Sequence, residues 1–120
     1  MKDLSDNQLC YVCGSKNEAG LRVAFEIDRD AKSISGRFTP AAAHQGYEGI
    51  VHGGMLSTFM DGVLANAVGR ETGGASVTVH LSLDFLSMAR AGDWAYGDGV
   101  VTRKTKDLVF VEGRIHTGTR

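Results

Sequence analysis

The segment from His52 to Arg70 constrains the fold more than any other, because it is the one long run whose apolar residues recur at helical spacing. Its apolar side chains cover more than a narrow stripe, and Gly62 and Ala65 leave room for other backbones to come close. The pattern therefore predicts a central helix that is buried on most sides. The residues that define this apolar surface are Met55, Phe59, Met60, Val63, Leu64, Ala67 and Val68.

Two polar features of this helix predict chemistry. Asp61 stands in the middle of the apolar surface, where a carboxylate loses hydration unless another group pairs with it. At the start of the helix, His52, Gly53 and Gly54 leave backbone N–H groups without intrahelical partners and with little bulk around them. Such an end suits a negatively charged oxygen. A carboxylate and an anion-binding helix end are two components of an acyl-transfer site.

The two components are separated by two helical turns, about 12 Å along the axis. One carbonyl group cannot contact both. If a second copy of the helix lies roughly antiparallel across a two-fold axis, Gly53 of one copy meets Asp61 of the other, and two identical sites result. This geometry predicts a dimeric enzyme.

Alternating apolar and polar residues predict strands on both sides of the helix. The reversal at 29–31 joins the first two into a hairpin, and Gly97, Gly99 and Gly113 are candidate bends or bulges. One helix and about five strands exclude repeated βαβ units and predict an α+β fold with a mainly antiparallel sheet curved around the helix. The predicted strands are residues 21–28, 32–39, 76–85, 94–104 and 108–117.

Composition excludes several classes of function. The 120 residues suit one domain, 1–120, whose first twenty residues are irregular. A net charge of -1 with scattered basic residues predicts neither nucleic acid nor a membrane as partner, and we expect a cytoplasmic protein. Cys10 and Cys13 form half of a zinc pattern, and only His44 or a second copy could complete it, so we predict no metal and no cofactor.

Three parts of the chain carry a resemblance to a known family. They resemble the hotdog-fold acyl-CoA thioesterases of the 4-hydroxybenzoyl-CoA thioesterase superfamily, and within it the phenylacetate-pathway (PaaI-like) type. The most specific part is the His-Gly-Gly motif with an Asp eight residues after its first Gly. The matching parts are residues 10–14 with Asn17 and Gly20-Leu21, residues 44–61, and residues 77–81 with 89–93.

The resemblance implies a hotdog fold and assigns three catalytic residues. The N–H of Gly53 polarises the thioester carbonyl, and Asp61 of the facing protomer acts as general base or nucleophile, with Thr78 beside it. A preorganised donor where negative charge develops and a carboxylate that attacks or activates water are what thioester hydrolysis requires. The residues leave open which of the two roles Asp61 takes.

The substrate-binding candidates are His52, Gly54 and Gln45. Some family members carry an Asn six residues before the motif His, where this chain has Gly46, so the neighbouring Gln45 is the candidate to replace it. His52 fits a substrate contact and a structural bond to the loop equally well. The acyl group is expected between helix and sheet, in contact with Met55, Phe59 and Met60.

These features favour an acyl-CoA thioesterase that acts as a homodimer or a dimer of dimers. An enoyl-thioester hydratase on the same fold is the first alternative. It requires a His paired with an acid and, in the carrier-protein type, a proline-rich approach to the helix, whereas Pro40 is the one proline of the chain. A non-catalytic acyl-CoA-binding protein is the second, although no helix-turn-helix segment supplies such a sensor with an output.

Overall fold

The computed structural model describes residues 8–28, 33–74 and 76–118. In these ranges the strands form one four-stranded antiparallel sheet in the order β1-β2-β3-β4. The long helix packs against β2, β3 and β4. The predicted combination of an antiparallel sheet and one central helix is thus confirmed. The elements are β1 Ala24–Asp28, β2 Ser33–Phe38, a 3-10 turn Ala42–His44, α1 Gly53–Thr72, β3 Trp94–Lys104 and β4 Val109–Gly118.

Local sequence sets both ends of α1. His52 is extended, at φ -62° and ψ 133°, and its side chain caps the helix by accepting a hydrogen bond from the Gly54 N–H. At the other end Gly73 takes the left-handed conformation, at φ 74°, and donates its N–H to the Gly69 carbonyl at 2.8 Å. The helix therefore ends at Thr72, two residues later than predicted.

The core lies between α1 and the sheet. Phe59 and Val63 are completely covered, and the rings of Phe59 and Phe38 pack with centroids 4.7 Å apart. These contacts place the i, i+4 face of the helix on the sheet, as its spacing predicts. The core cluster consists of Val12, Val23, Phe38, Phe59, Val63 and Ala95.

The glycines of β3 act on helix packing. A β-carbon at Gly97 or Gly99 would lie 3.0 Å and 3.2 Å, respectively, from the nearest side-chain atoms of α1. These positions therefore let the helix lie directly on the sheet. The predicted bulge at the glycines is wrong, since within the described strands the register shift falls between Val101 and Arg103.

The N-terminal loop is part of the packed structure. Residues 8–20 contain turns and no strand or helix, as predicted. Leu21 and Val23 donate their N–H groups to the carbonyls of Tyr11 and Val12, at 2.8 Å each. This pairing with the loop explains why β1 begins at Ala24 and not at residue 21. The predicted hairpin turn at 29–31 lies outside the described residues.

The strand predicted at residues 76–85 is wrong for the single chain. Residues 76–88, called segment 76–88 below, are not part of the sheet, and their backbone forms no hydrogen bond to the backbone of another described residue. Val77 and Val79 are 83% and 79% exposed. The outer edge of β4 also has no neighbouring strand among the described residues. Alternating side chains show that a segment can form a strand, but not that a neighbouring strand is present. In the single chain, segment 76–88 runs along α1 and does not pair with the outer edge of β4.

No helix among residues 8–28, 33–74 and 76–118 combines the length and apolar character that a bilayer crossing requires.

Candidate active site

The first amides of α1 have different partners. The Gly54 N–H donates to Nδ1 of His52 at 2.8 Å, and Met55 and Leu56 donate to the His52 carbonyl. The Gly53 N–H has no acceptor among the described residues. Of the two glycine amides, the one at position 53 therefore remains available to an incoming oxygen.

These contacts also give His52 and Gly54 a structural role. Nδ1 of His52 accepts the Gly54 N–H and so caps the first turn of the helix. The structural contact that the sequence left open for His52 is thus present. Its predicted contact with substrate, and that of Gly54, stay predictions.

The loop before the helix is held by its own side chains. Gln45 donates through Nε2 to the Ala42 carbonyl at 2.8 Å and accepts from the Gly49 N–H through Oε1 at 2.5 Å. The His52 N–H donates to the His44 carbonyl at 2.8 Å. The Gln45 amide therefore positions the loop through both of its ends, and its predicted substrate contact stays a prediction.

A cleft opens beside the free amide. It has a volume of about 410 Å³, and we call it the helix-end cleft. Its size is within the usual range for small-molecule sites, and apolar walls with one unpaired donor are typical of them. It is lined by Gly46, Tyr47, Ile50, Val51, His52 and Gly53.

The acyl-binding residues predicted from the helix are largely wrong. Phe59 and Met60 are 0% and 4% exposed and belong to the interior, while Met55 alone is partly exposed. The apolar side chains of Phe59 and Met60 pack in the interior of the chain, so they are not free to contact a ligand.

Two aromatic residues near the helix start were missed. Tyr47 lines the helix-end cleft and is 87% exposed. Phe85 lies over the helix start, since a β-carbon at Gly53 would be 3.6 Å from its ring. The sequence does show that Phe85 is the last of the alternating apolar residues in segment 76–88. That position lies next to the helix start only if the segment runs along α1.

Asp61 and Thr78 are brought together within one chain. The Thr78 hydroxyl donates to Oδ1 of Asp61 at 2.8 Å, across seventeen positions of sequence. Asp61 is partly exposed, because it lies on the side of α1 that faces segment 76–88 and not on the side that faces the sheet. No Lys or Arg of the described ranges forms an ion pair with it. The deep burial expected for this carboxylate is therefore absent in the single chain.

Gly53 and Asp61 are not brought together within the chain. Both belong to α1, and eight residues of helix separate them by about 12 Å. Segment 76–88 runs in the opposite direction to the helix, since Thr78 contacts Asp61 and Phe85 contacts the Gly53 end. Within one chain, the Gly53 amide therefore lies near Phe85, and the Asp61 carboxylate lies near Thr78.

The described residues offer no site for a metal ion. No group of three or more His, Cys, Asp or Glu side chains among them is arranged to hold one. Cys10 and Cys13 are both thiols and are not joined by a disulfide.

Comparisons with known proteins agree on the family. The sequence profile described as Thioesterase superfamily matches residues 48–120. A Pseudomonas aeruginosa protein named "Putative esterase PA0474" is 40% identical over 112 residues, which cover 92% of this chain and 74% of that protein.

Solved structures agree on the fold. A thioesterase superfamily protein, RHA08564, has a TM-score of 0.81 at 24% identity; the match covers 92% of this chain and 53% of the other, so this chain spans about half of its length. A phenylacetic acid degradation-related protein of Ralstonia eutropha JMP134 has a TM-score of 0.71 at 29% identity, over 80% and 74% of the two chains. The chain therefore belongs to the thioesterase superfamily, as a hotdog-fold hydrolase similar to the phenylacetate-pathway (PaaI-like) type.

Proposed function

We propose that this protein hydrolyses acyl-CoA thioesters to a free acid and CoA, at sites that two copies of the chain share. The single observation that carries the proposal is the Gly53 N–H, which has no acceptor among the described residues, at a helix start that opens into an apolar cleft. A donor fixed in this way stabilises the negative oxygen that forms when a thioester carbonyl is attacked.

The second part of the proposed site is the Asp61 carboxylate. Thr78 donates to its Oδ1, which leaves Oδ2 to face substrate or water. Asp61 either attacks the carbonyl carbon or removes a proton from the attacking water, and the CoA thiolate leaves in both cases. The Thr78 hydroxyl holds the carboxylate in the orientation that either reaction needs.

Segment 76–88 supports a site shared between copies. Its backbone groups lack backbone partners and its apolar side chains other than Leu83 are exposed, as in an edge strand that pairs with another chain. If two copies pair antiparallel about the point between Leu81 and Ser82, residue 78 of one lies opposite residue 85 of the other. Asp61 of one copy then faces Gly53 of the second, and the two-fold axis gives two such sites.

A proline at position 53 tests the amide directly. Gly53 is the first residue of α1, where proline is well tolerated, and the extended His52 before it is compatible with proline. Gly53→Pro deletes the donor and is expected to lower kcat by about 10²–10³-fold with the helix intact. Gly53→Ala keeps the N–H and meets Phe85 only at an ordinary contact distance of 3.6 Å, so it should keep most of the activity. Equal losses in the two variants would remove this amide from the mechanism.

Mixed dimers test whether the site is shared. Gly53→Pro and Asp61→Asn chains, each inactive alone, are co-expressed with different tags and the mixed dimer is purified. A shared site places both defects in one site and leaves the other intact, so the mixed dimer should recover about half of the wild-type rate. A site made within one chain would leave the mixed dimer inactive, and that result would refute the shared arrangement.

A substrate panel tests the reaction class. Initial rates are measured with aryl and aliphatic acyl-CoAs, with simple oxygen esters, and with an enoyl-CoA monitored for hydration. We expect release of free CoA from at least one acyl-CoA and its loss in Asp61→Asn, while that variant still binds the substrate. Hydration of the enoyl-CoA, or binding without turnover by the wild type, would favour one of the two alternatives set out above.

A further inference from the structure

The two cysteines lie in a tight turn of the N-terminal loop. The Gly14 N–H donates to the Cys10 carbonyl at 2.8 Å, which closes the turn that contains Cys13. A β-carbon at Gly14 would overlap the backbone of Cys10, so this close approach requires glycine. The side chains of Cys10 and Cys13 hydrogen-bond to each other, and both are partly exposed.

This loop is held firmly against the central helix. Val12 is 6% exposed and belongs to the core, and a β-carbon at Gly62 of α1 would lie 2.5 Å from its side chain. The Cys13 side chain also hydrogen-bonds to that of Asn66, one turn further along the helix. The packing of Val12 and Cys10 on the core, together with the Cys13–Asn66 hydrogen bond, thus holds the two thiols next to each other.

The surroundings make the two sulfurs chemically different. Burial raises the pKa of Cys10, but hydrogen bonds from Cys13, Val12 and Gly14 more than offset it, so the pKa lies below the ordinary value. Burial, together with the hydrogen bond and negative charge of Cys10, raises the pKa of Cys13 to about 11. Cys10 therefore ionises more readily than Cys13, an asymmetry that Cys-X-X-Cys motifs use for exchange chemistry.

We propose that Cys10 and Cys13 form a thiol–disulfide exchange site, with Cys10 as the attacking residue and Cys13 as the resolving residue. The co-reactant is a low-molecular-weight disulfide of the glutathione class. Three positions of a tight turn bring two Cα atoms within about 7 Å, which is compatible with the span of about 4.4–6.8 Å that a disulfide requires.

The exchange proceeds in two balanced steps. The Cys10 thiolate attacks one sulfur of the small disulfide, forming a mixed disulfide and releasing one small thiolate. The negative charge that holds the Cys13 proton is then gone, so Cys13 ionises more readily and its thiolate attacks the Cys10 sulfur, releasing the second small thiolate. Two protein thiols are oxidised by two electrons, the small disulfide is reduced to two thiols, and the two protons pass to the leaving thiolates through solvent.

A redox titration tests the proposal without reference to thioester hydrolysis. The intact protein is equilibrated with reduced and oxidised glutathione at graded ratios, quenched in acid with an alkylating agent, and weighed by mass spectrometry. We expect one transition from a doubly alkylated form to an unalkylated form lighter by two hydrogen atoms than the reduced chain. With limiting iodoacetamide on the reduced wild type, peptide mapping should find the label on Cys10, at a rate that rises with pH earlier than for an ordinary thiol.

Two serine variants assign the roles. In Cys13→Ser the mixed disulfide between Cys10 and glutathione should accumulate, because the resolving thiol is absent. In Cys10→Ser the charge of Cys10 is gone, but burial, the largest cause of the raised pKa of Cys13, remains, so Cys13 should react with oxidised glutathione more slowly than Cys10 does in Cys13→Ser. The proposal is overturned if the two variants react at the same rate, if limiting iodoacetamide labels Cys13 first, or if the wild type stays a dithiol at every ratio. It is also overturned if zinc blocks the exchange and remains bound through gel filtration, since the turn would then be a metal site.

Discussion

At the scale of single residues, the hydrogen bond from Thr78 to Asp61 is the contact on which the orientation of the carboxylate depends. The hydroxyl lies 2.8 Å from Oδ1, and neither Lys nor Arg of the described chain competes for that oxygen. A hydrogen bond to a charged group contributes about 1.5–3 kcal/mol. If that energy is used to hold Asp61 in its reactive orientation, its loss should appear in the chemical step more than in binding.

We therefore expect Thr78→Val to lower kcat by about tenfold to a hundredfold with little change in KM, and Thr78→Ser to keep most of the wild-type rate. Steady-state kinetics on the best acyl-CoA measure both values. Because Thr78 is exposed in the single chain, neither change should disturb the fold. Equal kinetics for valine and serine would mean that the hydroxyl has no part in the reaction.

The residues of the site divide into those that sequence could predict and those that it could not. Gly53 and Asp61 could be predicted because each differs from its sequence neighbours. Gly53 is a helix start without a side chain, and Asp61 is an acidic residue among apolar ones. Thr78 was available only through the family resemblance, because a polar residue in an alternating segment has no distinguishing property. The place of Phe85 over Gly53 depends on how segment 76–88 crosses the helix, which no local pattern encodes.

At the scale of elements, α1 carries two glycines with opposite consequences. A β-carbon at Gly62 would lie 2.5 Å from the branched side chain of Val12, whereas one at Gly69 would lie 3.5 Å from the Gly74 carbonyl oxygen, an ordinary contact distance. The first position is required by the packing of the N-terminal loop. The second has only the usual helical cost of glycine, about 1 kcal/mol relative to alanine.

The expected result is that Gly62→Ala lowers the free energy of unfolding by about 1–2 kcal/mol net of the gain in helix propensity. Gly69→Ala, the matched control, should leave it unchanged or raise it by up to ~1 kcal/mol. Urea unfolding followed by circular dichroism measures both. If Gly62→Ala were as stable as Gly69→Ala, the loop would not be packed on the helix as described.

Elements with internal hydrogen-bond partners were predicted well, and the element without one was not. The bounds of β3 were predicted to the residue, and β4 differs by one position at each end, because a hairpin joined by a short turn specifies its own pairing. Residues 76–85 have the clearest alternation in the chain, yet they form no strand in the single chain. Alternation is a property of side chains, whereas a strand also requires a neighbour for its backbone.

A proline in segment 76–88 tests whether its backbone pairs with a strand of another copy, without changing the alternation of the other side chains. Ser82→Pro removes one backbone N–H from a segment that forms no backbone hydrogen bonds within the described chain, so the fold of the single chain should be retained. In a pair of strands the same change removes a ladder hydrogen bond, and we expect weaker dimers and lower activity. Light scattering after gel filtration and circular dichroism measure assembly and fold. Ser82→Ala keeps the N–H and should match the wild type; a Ser82→Pro protein that assembles normally would exclude pairing through this segment.

At the scale of the whole molecule, the fold leaves the parts of the proposed site two turns apart on one helix, with Gly53 at its start and Asp61 near its middle. Fold and family were predictable because the helix pattern and the His-Gly-Gly to Asp spacing are both local. The antiparallel arrangement of two copies was predictable only from geometry. Gly53 and Asp61 are about 12 Å apart along one helix, and one carbonyl group cannot contact both. The acyl-binding surface was not predictable, because large apolar residues of α1 suit a ligand pocket and the protein core equally well. In the structure most of them belong to the core.

The backbone of segment 76–88, which has no backbone partner in the described chain, together with the unpaired outer edge of β4 links folding to protein concentration. Whatever binds only the folded chain stabilises it by mass action, and a second copy of the chain is such a ligand. The melting temperature should therefore rise as the solution is made more concentrated, and dilution should reduce thermal stability and specific activity over the same range.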